Sequence, residues 1–257
     1  MVYSVTKKGE AMEKEGASAS GRLYLVSTPI GNLEDITSRA AKVLGEVYLI
    51  AAEDTRRTGN LLVHLGIRNR ITSFNDHNKE RKWPELIAVL EGGRDVALVS
   101  DAGTPGISDP GYFLVNRAIE RGIEVVPVPG AAAFLAALVV SGLPTDRFVF
   151  EGFLPPRGSR RRARLESLRD EERTMVFYES PHRLLRTLRD MLEIFGERPV
   201  SLSREITKKF EQTLRGHLSD MIGIFEASKP RGEFVIVVGG AGRKLSGIWS
   251  DTSSELR

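Results

Sequence analysis

Along the first half of the chain, short runs of nearly uninterrupted apolar residues alternate with stretches of helical length. The runs are RLYLVS from Arg22, VYLIAA from Val47, ITSF from Ile71, DVALVS from Asp95 and EVVPV from Glu124. Aliphatic, β-branched runs of this length bounded by polar or glycine-bearing turns read as strands, and the segments between them as crossover helices. Strands that are apolar on both faces belong in a parallel sheet covered by helices on both sides. In such sheets, ligands bind where the C-terminal ends of the strands open into loops.

After Leu143-Pro144-Thr145-Asp146 the rhythm changes. A strand at Phe148, a long charged helix from about Ser159, and strands TMVFYE from Thr174 and PVSLS from Pro199 follow, and FEQTLRG from Phe210 and GEFVIVVGG from Gly232 complete the pattern. The expected fold class is α/β with two α/β domains, residues 22–144 and 145–240. Residues 1–21 mix charges with Gly, Ala and Ser, lack an apolar signal-peptide core, and are expected to be a disordered extension. Residues 241–257 are expected to be a flexible tail. The longest apolar run, around Ala131 to Val140, is too short to cross a bilayer and reads as a buried helix, so no membrane partner is expected.

Composition narrows the chemistry. The 257 residues, 41% apolar and 28% charged, are those of an ordinary globular protein. Cysteine is absent, which excludes disulfides, thiolate metal sites and cysteine nucleophiles and agrees with a reducing, cytoplasmic setting. His64, His77, His182 and His217 lack metal-ligand spacing, so no metal is expected. The net charge of +3 is small, but the positive bias sits in the second half. Its densest focus is Arg157, Arg160, Arg161, Arg162 and Arg164, at the start of a helix. Such a run is either a solvated helix face or a phosphate-binding patch. Planar guanidinium groups with paired donors favour the second, so RNA contact is expected there.

Three loops follow predicted strands: STPIGNLEDIT from Ser27, SDAGTPGISDPG from Ser100 and PVPGAAA from Pro127. In the second, Gly103, Pro105, Gly106, Pro110 and Gly111 shape the backbone while Ser100, Asp101, Thr104, Ser108 and Asp109 supply polar groups. Asp101, directly after a buried strand, is placed to meet a ligand; Asp109 either does the same or caps the next helix. The small residues of the third loop serve a close ligand, tight helix–sheet packing, or both. None of the loops is a GxGxxG fingerprint or a GxxxxGK(S/T) phosphate loop, which counts against dinucleotide and nucleoside triphosphate binding.

These loops, with AAEDTRRT from Ala51, EGFLP from Glu151, YESPHR from Tyr178, SREITKKFEQTLRG from Ser203 and GEFVIVVGG, resemble the ribosomal RNA small subunit methyltransferase I family almost throughout residues 22–240. The resemblance implies a tetrapyrrole-methylase (class III methyltransferase) fold, S-adenosyl-L-methionine in a cleft between two α/β domains, and a homodimer. It implies 2′-O-methylation of a cytidine in the decoding region of 16S ribosomal RNA, with free RNA or the small ribosomal subunit as partner. Many members of that family continue past the equivalent of GEFVIVVGG into a helical extension, which this short tail is expected to lack. By the same resemblance the cofactor contacts are Pro29, Ile30, Ser100, Asp101, Ala102, Gly103, Ile107, Ser108, Asp109, Pro129, Gly130, Ala131, Phe153, Leu154 and Glu233. Phe153 and Leu154 read equally well as inter-domain core.

Methyl transfer to a hydroxyl is an in-line displacement that depends on alignment and on removal of the hydroxyl proton. Glu53 or Asp54 is the expected proton acceptor, with Arg56 holding phosphate or substrate. Glu179 and Arg183 are expected to face them across the cleft, with catalytic and RNA-binding roles respectively. The competing reading of Glu53 and Asp54 is a helix cap paired with an arginine. Arg204, Glu205, Lys208 and Lys209 form another charged group, of which Lys208 is the expected RNA contact. The rival functions are a tetrapyrrole methylase of the same fold and a non-catalytic RNA-binding or ribosome-assembly module. The Pro-Ile-Gly-Asn and SDAGTP loops count against the first.

Overall fold

A computed structural model describes residues 20–242. The first sheet contains β1 (Leu23–Val26), β2 (Leu49–Ala52), β3 (Ile71–Ser73), β4 (Val96–Val99) and β5 (Val125–Val128), joined through helices α1 (Ser38–Glu46), α2 (Thr55–His64), α3 (Lys79–Glu91) and α4 (Gly111–Glu120). After α5 (Ala133–Val140) come β6 (Phe148–Phe153), α6 (Gly158–Glu166), β7 (Thr174–Glu179), α7 (Leu184–Phe195), β8 (Pro199–Arg204), β9 (Gln212–His217), α8 (Leu218–Ala227) and β10 (Phe234–Val238). The expected extension over 1–19 and the tail over 243–257 lie outside the described residues.

The first sheet has strand order β3-β2-β4-β1-β5 and is parallel throughout, as its two-sided apolar strands require. Ala40 and Leu44 of α1 and Leu62 of α2 pack on one face; Leu86, Ile87 and Leu90 of α3 and Leu114 and Ala118 of α4 pack on the other. The neighbouring strands β1 and β4 therefore send their helices to opposite faces. Their diverging loops leave a crevice at the strand C-terminal ends, the topological switch point where α/β sheets hold ligands.

The second sheet has order β6-β7-β10-β8-β9, with β6 and β7 parallel and the other pairs antiparallel. Helices α6, α7 and α8 cover one face through residues such as Leu165, Leu188, Met191 and Met221. Its other face receives α5: Ala137 and Leu138 pack with Val176, Val235 and Val237. Thus α5, which lies before the expected boundary at residue 144, belongs by packing to the second sheet. Central strand β10 is buried over its whole length, which explains its unbroken FVIVV sequence.

Two expectations about helices need correction. The apolar run in α5 is not buried all round: Leu135, Val139 and Val140 face outward, because the second sheet covers only one side of it. The charged helix near Ser159 is short, nine residues, and a bend follows at Ser167, whose hydroxyl donates back to the Arg164 carbonyl at 2.7 Å. Among the described residues no helix is long and apolar enough to cross a membrane.

Candidate active-site cleft

The loops after β1 and β4 are stitched together at the crevice. Thr28 N–H donates to the Gly103 carbonyl at 2.9 Å and Gly103 N–H returns a bond to Thr28 at 3.0 Å. The Thr104 hydroxyl lies 2.9 Å from that of Ser27 and donates to the Ala131 carbonyl at 3.2 Å, tying in the loop after β5. Gly103 has φ +85°, a conformation that favours glycine. Ser108 adopts φ +64° without being glycine, the kind of local strain that surrounding structure imposes at binding loops. Asp109 accepts bonds from the amides of Gly106 and Gly111 at 2.8 and 2.7 Å, so it both braces the loop and caps the start of α4.

These loops and the second sheet enclose a cavity of about 440 Å³. Of the expected ligand contacts, Ile30, Ser100, Asp101, Ala102, Gly103, Ile107, Ser108, Asp109, Phe153 and Glu233 line it. Pro29, Pro129, Gly130 and Ala131 do not; the lining from the third loop comes one or two residues later, from Ala132, Ala133 and Phe134. Gly130 instead serves packing, since a Cβ there would stand 2.7 Å from the Cβ of Ser27. Leu154 does not line it either: its side chain is buried in the core of the second sheet, beyond reach of a ligand.

At the mouth of the cavity the ends of β2 and β4 clasp each other. Glu53 accepts from the Asp101 amide at 3.1 Å, and Asp101 accepts from the Asp54 amide at 2.9 Å. Glu53 lines the cavity, and burial raises its pKa. The Asp101 amide partly offsets that rise, while repulsion from Asp101, Asp109 and Asp76 adds to it. Asp54 differs in every respect. It is the N-cap of α2, accepting from the Arg56 amide at 2.8 Å, and the Arg56 side chain holds its pKa at about 2. Arg56 folds back on Asp54 and points away from the cavity, whereas Arg57 lines it, 3.6 Å from Asp101. The expected pairing of Asp54 with an arginine is thus the capping arrangement, and Glu53 is the carboxylate that faces the cavity.

The opposite wall comes from the second sheet. Glu179 borders the cavity, but its carboxylate is buried and engaged within the protein: it accepts from the Ser180 amide, the Arg183 guanidinium and the Thr187 hydroxyl, each at 2.7–2.8 Å. Arg183 also donates to the Leu154 carbonyl at 3.0 Å. The pair anchors α7 to β7, which gives both expected site residues a structural role; the Arg183 side chain remains partly exposed. Lys208 lines the cavity between Glu205 and Glu233, 3.1 Å from each. Burial opposes its charge, but the two carboxylates prevail and raise its pKa. Across the gap, the Asn32 amide donates to the Thr207 hydroxyl at 3.0 Å, joining the first loop to the hairpin that carries Lys208.

The arginine patch is largely consumed within the protein. Arg161 is buried and bonds Asp190 at 2.7 Å; Arg162 pairs with Asp190 and Glu193; Arg164 grips Glu151 through two bonds at 2.7 and 2.8 Å. The three differ in access: Arg161 is buried in its ion pair, whereas Arg162 and Arg164 stay partly exposed while paired with carboxylates of β6 and α7. Arg157 and Arg160 are exposed, and among the described residues no carboxylate pairs with them.

The cavity suits a nucleoside-bearing cofactor in its donor set: apolar walls from Ile30, Ile107 and Phe153, and exposed backbone from the Ser100–Asp109 loop. Residues that sequence reasoning did not single out complete it, among them Arg57, Phe134 and Tyr178. Tyr178 stacks against Phe150 and Phe153 with centroids 5.1 and 5.3 Å away, and its hydroxyl receives the Phe134 amide at 3.3 Å. The aromatic spacing of Phe148, Phe150 and Phe153 was the available signal. Among the described residues no cluster of metal-ligating side chains occurs.

Comparison with known proteins gives four relevant similarities. Residues 22–222 match the family model for tetrapyrrole (corrin/porphyrin) methylases. The chain is 54% identical over 222 residues to the ribosomal RNA small subunit methyltransferase I of Synechocystis sp., covering 86% of this chain and 80% of that one. It is 53% identical to the protein of the same name in Thermotoga maritima, over 86% of this chain and 99% of that one. A solved neighbour is the Thermus thermophilus uroporphyrin-III C-methyltransferase complexed with S-adenosylhomocysteine; it has a TM-score of 0.60 and 20% identity, with 85% of this chain and 97% of that one covered.

Proposed function

The chain belongs to the ribosomal RNA small subunit methyltransferase I family of tetrapyrrole methylases, and on that premise we propose that it transfers a methyl group from S-adenosylmethionine to a ribose 2′-hydroxyl of 16S ribosomal RNA, at a cytidine of the decoding region. The observation that carries this reading is the 440 Å³ cleft at the switch point, lined by the Ser100–Asp109 loop and by Glu53, whose pKa is raised by burial. The Thermus neighbour, which shares the fold, is complexed with S-adenosylhomocysteine, the product that remains after such a transfer.

S-adenosylmethionine supplies a methyl group on a sulfonium, already activated for displacement. The chain supplies alignment and proton management. The Ser100–Asp109 loop, with Ile30 and Phe153, holds the donor in the cavity through backbone groups and shape. Glu53 uses Oε2 to accept the Asp101 amide, leaving Oε1 to take the proton of the acceptor hydroxyl. Arg57 provides a cation beside the oxygen as negative charge develops on it. Arg157 and Arg160 on α6 hold phosphates of the RNA. The outward apolar face of α5, with Leu135, Val139 and Val140, is the contact surface of a cytoplasmic homodimer.

The test is labelled methyl transfer to intact small subunits, to unmethylated 16S ribosomal RNA and to a corrinoid precursor. A methyl on the ribose of one cytidine is expected. Transfer to the corrinoid, or RNA binding without turnover, overturns the assignment. Sedimentation of the protein and of a Val139→Asp variant tests the dimer, which the variant is expected to dissociate.

A further inference from the structure

Beside the donor cleft lies a second hollow of about 280 Å³, lined by Asp76, Lys79, Ser108, Asp109, Pro110, Tyr112 and Phe113. It shares Ser108 and Asp109 with the larger cavity, so the two spaces adjoin across the strained Ser108 turn. Three features of the hollow bear on what it could bind. The Tyr112 ring, on the first turn of α4, is 72% exposed. Asp76 is 68% exposed and bonds Lys79 Nζ at 2.7 Å, presenting an acceptor and a donor side by side. Lys79 in turn lies 5.7 Å from the centre of the Phe113 ring.

We propose that this hollow receives the base of the nucleotide being methylated, with Tyr112 as its stacking platform and the Asp76–Lys79 pair reading an amino-bearing edge. The proposal rests on the RNA methylation reading above. The larger cavity is of a size for one nucleoside-bearing ligand, and a base must sit elsewhere yet within one ribose of the reacting centre. The hollow meets that demand because it shares Ser108 and Asp109 with the cavity that Glu53 lines, and Asn75, next to Asp76, donates to the Glu53 carbonyl at 3.4 Å. A base seated on Tyr112 places its ribose at the Ser108–Asp109 seam, between Glu53 and the donor.

The chemistry of the pair selects the base. An accepting carboxylate beside a donating ammonium matches an exocyclic amine beside a ring nitrogen, the edge of cytosine and of adenine. In the same orientation uracil and guanine put an oxygen where the amine stood and an N–H where the ring nitrogen stood, so either must turn over on Tyr112 to satisfy the pair. Single-stranded nucleotides are commonly recognised by aromatic stacking with hydrogen bonds to this edge.

The experiment compares the parent protein, Asp76→Asn, Tyr112→Ala and Tyr112→Phe on small subunits carrying C, A, U or G at the acceptor position. S-adenosylmethionine affinity is measured by calorimetry in each. Both substituted side chains are largely exposed, so the fold is retained. The parent should prefer C or A over U and G by roughly tenfold or more, and the C and A arms decide whether the hollow accepts a purine. Asp76→Asn, whose amide also donates, should lower the C-to-U ratio by about tenfold. Tyr112→Ala should raise KM for the RNA by about tenfold, Tyr112→Phe should not, and cofactor affinity should be unchanged in all. An unaltered C-to-U ratio in Asp76→Asn, or an unaltered KM in Tyr112→Ala, overturns the site while leaving RNA methylation standing. No transfer by the parent to any of the four RNAs overturns the functional reading and this site with it.

Discussion

Replacing Glu179 by glutamine separates scaffold from chemistry. The Glu179 side chain has no exposure, and its two oxygens accept from the Ser180 amide, the Arg183 guanidinium and the Thr187 hydroxyl. Glutamine keeps one acceptor and loses the charge opposite Arg183. Removing one partner of a buried ion pair costs about 3–5 kcal/mol. Arg183 keeps the Leu154 carbonyl and some solvent, which points to the lower end, about 3 kcal/mol. For a chain of this size that corresponds to a fall in Tm of about 6–12 °C. Calorimetric melting gives the stability change, and methyl transfer assayed well below the transition gives the chemistry. A large fall in Tm with turnover per folded molecule within a few-fold of the parent is expected. An unchanged Tm with turnover lowered ~100-fold would refute the structural role and return Glu179 to the reaction.

Glu53→Gln should lower transfer at saturating cofactor by ~10²–10⁴-fold with little change in cofactor affinity. Because the folded Glu53 carboxyl holds its proton more tightly than the unfolded one, its ionisation weakens the fold as pH rises. Glu53→Gln should therefore be the more stable protein at neutral pH, with the difference vanishing in acid; equal stability at all pH values contradicts the raised pKa. Asp54→Asn, a good N-cap replacing a carboxylate already ionised down to about pH 2, should leave the acid limb of the activity profile in place. Arg157→Ala with Arg160→Ala should weaken RNA binding and flatten its salt dependence, whereas Arg161→Met should lower Tm and spare RNA binding; the opposite pattern in filter binding and melting would restore Arg161 to the interface. Gly130→Ala should weaken S-adenosylmethionine binding measured by calorimetry, since its Cβ would push the loops after β1 and β5 apart.

The alternation of apolar runs with helical stretches located every strand of the first sheet; the signal is clearest in the inner strands β2 and β4, where burial on both faces demands apolar residues throughout, and weaker at the edge strands β3 and β5. The three loops at strand ends were legible for a related reason: Gly103 and Gly106 adopt backbone conformations that other residues avoid, so the turn is written into residue type. Charge was a poor guide. Arg157 to Arg164 reads as one patch, yet three of its five arginines find Glu151, Asp190 and Glu193, which lie up to about thirty residues away in sequence. Glu53 and Asp54 are adjacent and chemically alike, but successive residues leaving a strand point in opposite directions, one into the cavity and one onto a helix start.

Residue type and order alone thus determined the family, the α/β class and the loops that gather at the cleft. Tertiary structure alone decided that α5 covers the second sheet, that Glu179 is buried against Arg183 and Thr187, and that Tyr112 and Asp76 stand beside the donor cavity. Burial and charge pairing depend on partners distant in sequence, and local pattern carries no record of which carboxylate a given arginine will meet.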